Sequence, residues 1–149
     1  MSPAPIEPAR TEDDVRACFP LFRELRPFLD EETFLSRWRR QREERYELVY
    51  VRDGDGQIVA AAGFREMTTM AWGHVLYLDD LIALPTHRGR GLGSLLLRFL
   101  QDETVRRGCD QLHLDTGYTR HAAHRSYLRN GFDIVCHHMA WEPPADSRG

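Results

Sequence analysis

The residues with the most chemical content are Arg88-Gly89-Arg90-Gly91-Leu92-Gly93. An apolar run from Leu76 to Leu84 leads into them and an apolar-periodic run from Leu92 to Val105 leads out, which predicts a strand, a glycine-rich turn and a helix start. Alternating glycines leave Cβ off half of the turn, so backbone N–H groups can close on a bulky anion. The new helix adds unpaired amides and the positive end of its dipole. A diphosphate suits such a turn, and Arg88 and Arg90 add charge.

Three loop chemistries share this shape. A nucleoside-triphosphate loop closes on Gly-Lys-Ser/Thr, and the chain contains no lysine, which excludes it. A dinucleotide loop needs a third glycine where Ser94 stands, although Asp115 lies near the spacing expected of its acidic partner. An acyl-CoA loop, Gln/Arg-x-x-Gly-x-Gly/Ala, is met by Arg88, Gly91 and Gly93.

Two further features carry chemistry. Asp79 and Asp80 interrupt an apolar strand predicted from Gly73 to Leu84, and carboxylates in such a place need partners or a purpose. Alternation points one to each face of the sheet unless a bulge turns both the same way. Ala123-His124-Arg125-Ser126-Tyr127-Leu128-Arg129-Asn130-Gly131-Phe132 follows about 35 residues after the glycine loop. By spacing alone, Tyr127 reads first as a core aromatic.

Loop and Tyr-x-x-x-Gly-Phe together resemble the GNAT superfamily of acyl-CoA-dependent N-acyltransferases. The close resemblance runs from about Gly73 to Trp141, while Ile6 to Arg65 fits the family's order of elements without a sharp motif. It implies that Arg88, Gly89, Arg90, Gly91, Leu92, Gly93 and Ser94 bind the CoA diphosphate, and that backbone groups of Leu81, Ile82 and Ala83 hold the pantetheine arm and polarise the thioester. Many members carry asparagine seven residues before the tyrosine. Arg120 stands there instead, a departure from the family's pattern that removes the usual contact, and its guanidinium is expected to reach a CoA phosphate in its place.

The implied reaction is direct transfer of an acetyl group from acetyl-CoA to a primary amine. An alkylammonium of pKa about 10.4 is neutral in only about one molecule in 2,500 at pH 7, a handicap of roughly 4.6 kcal/mol. Asp79 or Asp80 is the expected proton acceptor, with Glu66 and His74 in reserve. Tyr127 is the implied acid for the departing sulfur. Proton transfer from a phenol to a thiolate runs uphill by roughly 2 kcal/mol, so Tyr127 assists rather than dominates. The alternative is a degenerate acyl-CoA-binding sensor or regulatory module, and a nicotinamide-dependent hydride-transfer enzyme is a more distant reading. The acceptor is a small-molecule or peptide amine. Acids near the thioester favour a cationic one, such as a polyamine, an aminoglycoside or a basic peptide end. The family also admits a homodimer.

The elements that must position these residues follow from pattern. Ile6 to Arg10 reads as a short strand, and Thr11 caps a helix whose Pro20 predicts a kink. A helix is expected from Glu31 to Arg45. Its Arg37-Trp38-Arg39-Arg40-Gln41-Arg42 segment, flanked by glutamates, reads as a solvated face. Strands Glu47 to Arg52 and Gln57 to Phe64 flank Asp53-Gly54-Asp55-Gly56, a hairpin signal, and Glu66 to Trp72 reads as a loop. A helix from Gly91 to Arg107, a strand from Leu112 to Thr116, a helix from Arg120 to Arg129 and a strand from Ile134 to Trp141 complete the chain. The fold class is α/β (α+β mixed): a single GNAT-like domain over residues 1–142, with a mixed, mostly antiparallel sheet, helices on both sides and a tail at 143–149.

Composition sets bounds. The 149 residues, 42% hydrophobic, suit one domain with a substantial core, and a formal charge of −3 argues against a nucleic-acid binder. No window approaches a membrane span, and Met1 to Pro5 lacks a leader's pattern, so the expected location is the cytoplasm. Cys18, Cys109 and Cys136 are odd in number and widely spaced, which predicts reduced, buried thiols. His121 and His124 share a helix face, but adjacent His137 and His138 point to opposite strand faces, and no metal is expected.

Overall fold

The computed structural model describes residues 5–117 and 120–145. The start of the chain at 1–4 and the end of the expected tail, 146–149, lie outside the described residues. The chain forms two compact units, residues 1–114 and 115–149.

The first unit is built on a five-stranded sheet in the order β1-β2-β3-β4-β5. Its strands are β1 (Ile6–Pro8), β2 (Tyr46–Arg52), β3 (Ile58–Thr69), β4 (Gly73–Ala83) and β5 (Gln111–Leu114). Each of the first four runs antiparallel to its neighbour. β5 runs parallel to β4, which requires a crossover, and helix α4 (Leu92–Arg106) supplies it. Helices α1 (Glu12–Ala17), α2 (Phe19–Leu25) and α3 (Glu31–Glu43) join β1 to β2.

Local chemistry explains the joints. Thr11 Oγ1 accepts from the Asp14 N–H at 3.1 Å while Asp14 returns a bond to the Thr11 N–H at 3.0 Å, a reciprocal cap. The chain breaks at Cys18 rather than kinking, because Pro20 starts a new helix. In the β2–β3 hairpin the Asp53 carboxylate accepts from the Asp55 and Gln57 amides, and Gly56 takes the left-handed conformation at φ 82°. β3 runs five residues beyond the expected Phe64, so much of the expected Glu66 to Trp72 loop is strand, paired as far as Thr69↔Gly73.

Each face of the sheet carries its own apolar layer. Val15, Phe19, Phe22, Phe34 and Trp38 of α1 to α3 pack with Leu48, Tyr50, Ala61 and Ile82. Strand alternation sends Phe64 to the opposite face, where its ring meets Phe99 of α4 edge-on at 6.4 Å. Helices therefore cover both faces, as expected.

One irregularity matters for function. Gly63 pairs with Asp80 but Phe64 pairs with Leu78, so Asp79 is an extra residue in β4. This bulge resets the alternation. Tyr77, Asp79, Asp80 and Ile82 all face α1 to α3.

In the second unit, α5 (His121–Arg129) ends at Asn130, and Gly131 turns the chain at φ 89°. The strand expected from Ile134 to Trp141 is absent among the described residues: 132–144 carries no regular element, with Ile134 77% and Trp141 80% exposed. Apolar β-formers make a strand only where a neighbouring edge takes their backbone groups. The thiols also differ from expectation: Cys18 is buried, Cys109 half-buried and Cys136 exposed, all free.

A Cβ at Gly63 would lie 1.7 Å from the Tyr46 hydroxyl oxygen. Gly63→Ala is expected to lower stability by about 1–3 kcal/mol in urea unfolding, whereas Gly54→Ala, with open space around it, should change it by less than about 0.5 kcal/mol.

Candidate active site

A cleft of about 380 Å³ opens between the bulged stretch of β4 and helices α2 and α3. Asp79 and Asp80 form part of its wall, with Phe22, Phe34, Trp38 and Tyr46 as aromatic lining. That volume lies at the small end of the range for small-molecule sites.

The two carboxylates differ in their surroundings. Asp80 is 8% exposed and fully engaged. Arg26 reaches Oδ1 through Nε at 3.1 Å and Nη2 at 2.8 Å, and the Tyr46 hydroxyl donates to Oδ2 at 2.9 Å. Burial, followed by the charge of Asp80, holds the Tyr46 phenol well above its usual range. Asp79 has no such anchors. Arg65 Nε lies 3.2 Å from Asp79 Oδ2, but the two are misaligned, and both buried atoms lack a hydrogen bond among the described residues. Burial pushes the Asp79 carboxyl up to about 6, outweighing Arg65, and the neighbouring charge of Asp80 adds to the rise. One acid is a locked ion pair. The other is a carboxyl pushed up to about 6 on the wall of the cleft.

Beyond Leu78, β4 leaves β5 behind, since the parallel pairing covers only Val75 to Leu78. The Leu84 N–H donates to Val59 O at 2.9 Å. Antiparallel alternation from that bond aims the backbone groups of Asp80 and Ile82 at β3 and those of Leu81 and Ala83 at the opposite edge. Within the first unit no strand covers that edge at Leu81 and Ala83. Ile82 therefore does not share its neighbours' backbone direction, and its side chain is core.

A short 3-10 turn, Pro85–His87, delivers β4 to the glycine loop. Gly89 and Gly91 take left-handed φ of 84° and 75°, which favours glycine there, and Gly91 is the N-cap of α4. The backbone N–H groups of Leu92 and Gly93 open the helix without an intrahelical acceptor. Nothing stands within 4 Å of the points where a Cβ would sit on Gly89, Gly91 or Gly93, and Arg88 and Arg90 are exposed. This open cradle, with helix dipole and two guanidinium groups, fits a diphosphate.

Glu66 and His74, the reserve bases, lie elsewhere. They sit on the α4 face, with His74 Nε2 3.4 Å from Glu66 Oε2 and 3.9 Å from Cys109 Sγ. These three could hold a metal ion by donor type, their ligand atoms lying within 4.8 Å of one another. The other Glu66 oxygen meets Arg107 at 3.3 Å, inside a network with Glu47 and Glu103. Neither lines the cleft that holds Asp79.

In the second unit, Tyr127 is half-buried and its ring meets Phe132 edge-on at 6.0 Å. Burial raises its phenol pKa, and Arg120, the N-cap of α5, opposes the rise. The His124 ring lies 2.8 Å from the Gly117 carbonyl and His138 lies 3.3 Å from Asp115. Those histidines form no metal-type group of three among the described residues. Sequence reasoning missed Arg26 and Tyr46, which lock Asp80. No motif marks either residue, since they lie 54 and 34 positions away from it.

The model of the acetyltransferase (GNAT) family matches residues 10–132. Streptothricin acetyltransferase of Streptomyces lavendulae is 35% identical over 80 residues, 54% of this chain and 40% of that protein. Aminoalkylphosphonate N-acetyltransferase of Salmonella typhimurium is 38% identical over 55 residues, 37% of this chain and 36% of that protein. The chain thus spans well under half the length of both relatives. Among solved structures, aminoglycoside N-acetyltransferase AAC(6')-Iy in complex with CoA superposes with a TM-score of 0.77 at 16% identity, covering 97% of each chain, a likeness of fold.

The raised Asp79 pKa has a cost with a definite sign. A carboxyl whose folded pKa lies above its unfolded value of 3.8 penalises the native state above about pH 6, and the penalty fades as pH falls from about 6 towards 3.8. Asp79→Asn should therefore be more stable than the native chain by about 1–3 kcal/mol at pH 8, with the difference gone by about pH 4, as read from urea midpoints across that range. A difference independent of pH would place the raised ionisation elsewhere.

Proposed function

Because the chain belongs to the acetyltransferase (GNAT) family, we propose that it transfers an acetyl group from acetyl-CoA to a primary amine by direct attack on the thioester. The observation that carries this reading is the bulge that turns Asp79 into the cleft with its carboxyl pushed up to about 6. Such a group is ionised at pH 7 and can take the proton that the amine nitrogen sheds as its lone pair bonds to the thioester carbon. Asp79 is the proposed base, directly or through water. Asp80, held by Arg26 and Tyr46, is the anchor that keeps the bulge in place.

Acetyl-CoA supplies the acyl group activated as a thioester. Arg88 to Ser94 would receive its diphosphate, and the uncovered edge at Leu81 and Ala83 would receive the amide-bearing arm. Arg120 is the proposed further phosphate contact. Tyr127 is the proposed acid for the departing thiolate, and because burial raises its pKa, its proton is retained at neutral pH and surrendered only as the sulfur gains full charge. The family match spans residues of both units, which supports a single acetyltransferase domain over 1–142. No helix among the described residues is long and apolar enough to cross a membrane, and we read the protein as cytoplasmic. The two relatives are named for chemically different acceptors, so they do not choose one for this chain.

The direct test incubates the protein with acetyl-CoA and a panel of primary amines while free thiol is followed. Amine-dependent thiol release is expected; acetyl-CoA binding without release for any amine would leave the sensor reading. Tyr127→Phe should slow turnover on the order of tenfold to a thousandfold with acetyl-CoA affinity nearly unchanged. Asp79→Asn should slow it most at neutral pH and recover partly as pH approaches that of the amine's own ionisation.

The cradle has a separate readout. Gly93 lies in the first turn of α4 at ordinary helical φ with open space around it, and a helical Cβ tilts towards the N-terminus. Gly93→Val should keep the fold and weaken acetyl-CoA binding at least tenfold in calorimetric titration. Unchanged affinity would remove the loop from the CoA site.

A further inference from the structure

The carboxylates of the cleft do not make it an acidic site. Asp80 spends both oxygens on Arg26 and Tyr46, so Asp79 alone has capacity for an incoming amine. The same cleft is lined by Arg37 and Arg40 of α3. These stand one turn apart on one helix face, where like charges repel. The other arginines of this segment are occupied: Arg39 pairs with Glu12, and the Arg42 guanidinium lies 5.5 Å from the centre of the Trp38 ring. Among the described residues no carboxylate pairs with Arg37 or Arg40. Both residues are exposed, and both line the cleft whose wall includes Asp79.

From this charge arrangement we infer that the acceptor is a primary amine that also carries an anionic group, a carboxylate or a phosphoryl group, bound by Arg37 and Arg40 while its nitrogen meets Asp79. The inference rests on the acetyl-transfer reading for this cleft and narrows its substrate class. The lining residues include three arginines, Arg26, Arg37 and Arg40, against two acids, Asp79 and Asp80. A polycation meets a surplus of like charge there. An anion-bearing amine meets one complementary group at each end, with Phe22, Phe34 and Trp38 offering apolar surface to the carbon frame between them. Guanidinium forks suit both carboxylate and phosphoryl oxygens.

The test uses the full chain, acetyl-CoA and four acceptors of matched carbon length: an ω-amino carboxylate, an aminoalkylphosphonate, an alkyl monoamine and an alkyl diamine. The inference expects at least one of the first two to exceed the monoamine in kcat/KM by about tenfold or more, and the diamine not to exceed it. Which of the two leads identifies the anion. Arg37→Gln and Arg40→Gln should each cut that advantage by about two- to fivefold, through KM rather than kcat, and the advantage should shrink as salt is raised. A diamine preference, or an advantage unchanged in the double substitution, overturns the inference. If none of the four is turned over, calorimetric binding of the same compounds to the CoA-bound protein separates the two claims. Preference for the anion-bearing amines, lost in the double substitution, sustains the charge assignment while acetyl transfer fails; equal binding overturns it.

Discussion

The single extra residue in β4 is the constraint on which the site depends. Two carboxylates in sequence would normally face opposite sides of a sheet, one in each apolar layer, and burying either without partners is costly. The bulge opposite Gly63 turns both to the side of α1 to α3. It also sets the environment of each. Gly63 leaves room for the Tyr46 ring, the Tyr46 hydroxyl reaches Asp80, and Arg26 closes the other side of that carboxylate. A side chain at position 63 would occupy the space Tyr46 needs.

That division of labour between neighbours resolves a conflict between stability and chemistry. Asp80 is buried but satisfied, its two oxygens taken by Arg26 and Tyr46. Asp79 is partly buried without well-formed partners, and the unmet cost appears as a raised pKa. A poorly satisfied acid is tolerable here because a well-satisfied one beside it pins the backbone. Poorly satisfied groups of this kind concentrate where proton transfer is the task.

The same strand serves a second surface. Past Leu78 it parts from β5, so the edge that no strand of the first unit covers and the glycine loop that follows lie on one continuous stretch of chain from Leu81 to Ser94. Backbone donors at that edge, positive φ at Gly89 and Gly91 and the start of α4 then come in series with the acids. Glu66 and His74 are excluded from this arrangement by alternation alone. They belong to the α4 face, where Arg107 gathers Glu47, Glu66 and Glu103.

Residues close in sequence were legible without coordinates. The hairpin at Asp53 to Gly56, the cap at Thr11, and the strand, glycine turn and helix around Arg88 to Gly93 all rest on backbone preferences that local residue types set, and the structure has each of them, whereas the kink expected at Pro20 is a break at Cys18 between two helices. Asp79 and Asp80 stood out for the same reason, as charges in an apolar run. What the sequence left open depended on distant partners. Whether alternation or a bulge governed the two acids was decided by register against β3, and their unequal partners by Arg26, Tyr46 and Arg65 from other elements. Likewise the arginines of α3 read as one solvated face until tertiary packing gave Arg39 to Glu12, Arg42 to Trp38, and Arg37 and Arg40 to the cleft. The expected strand at Ile134 to Trp141 failed on the same ground: its residues have the propensity, but a strand exists only where another edge takes its hydrogen bonds.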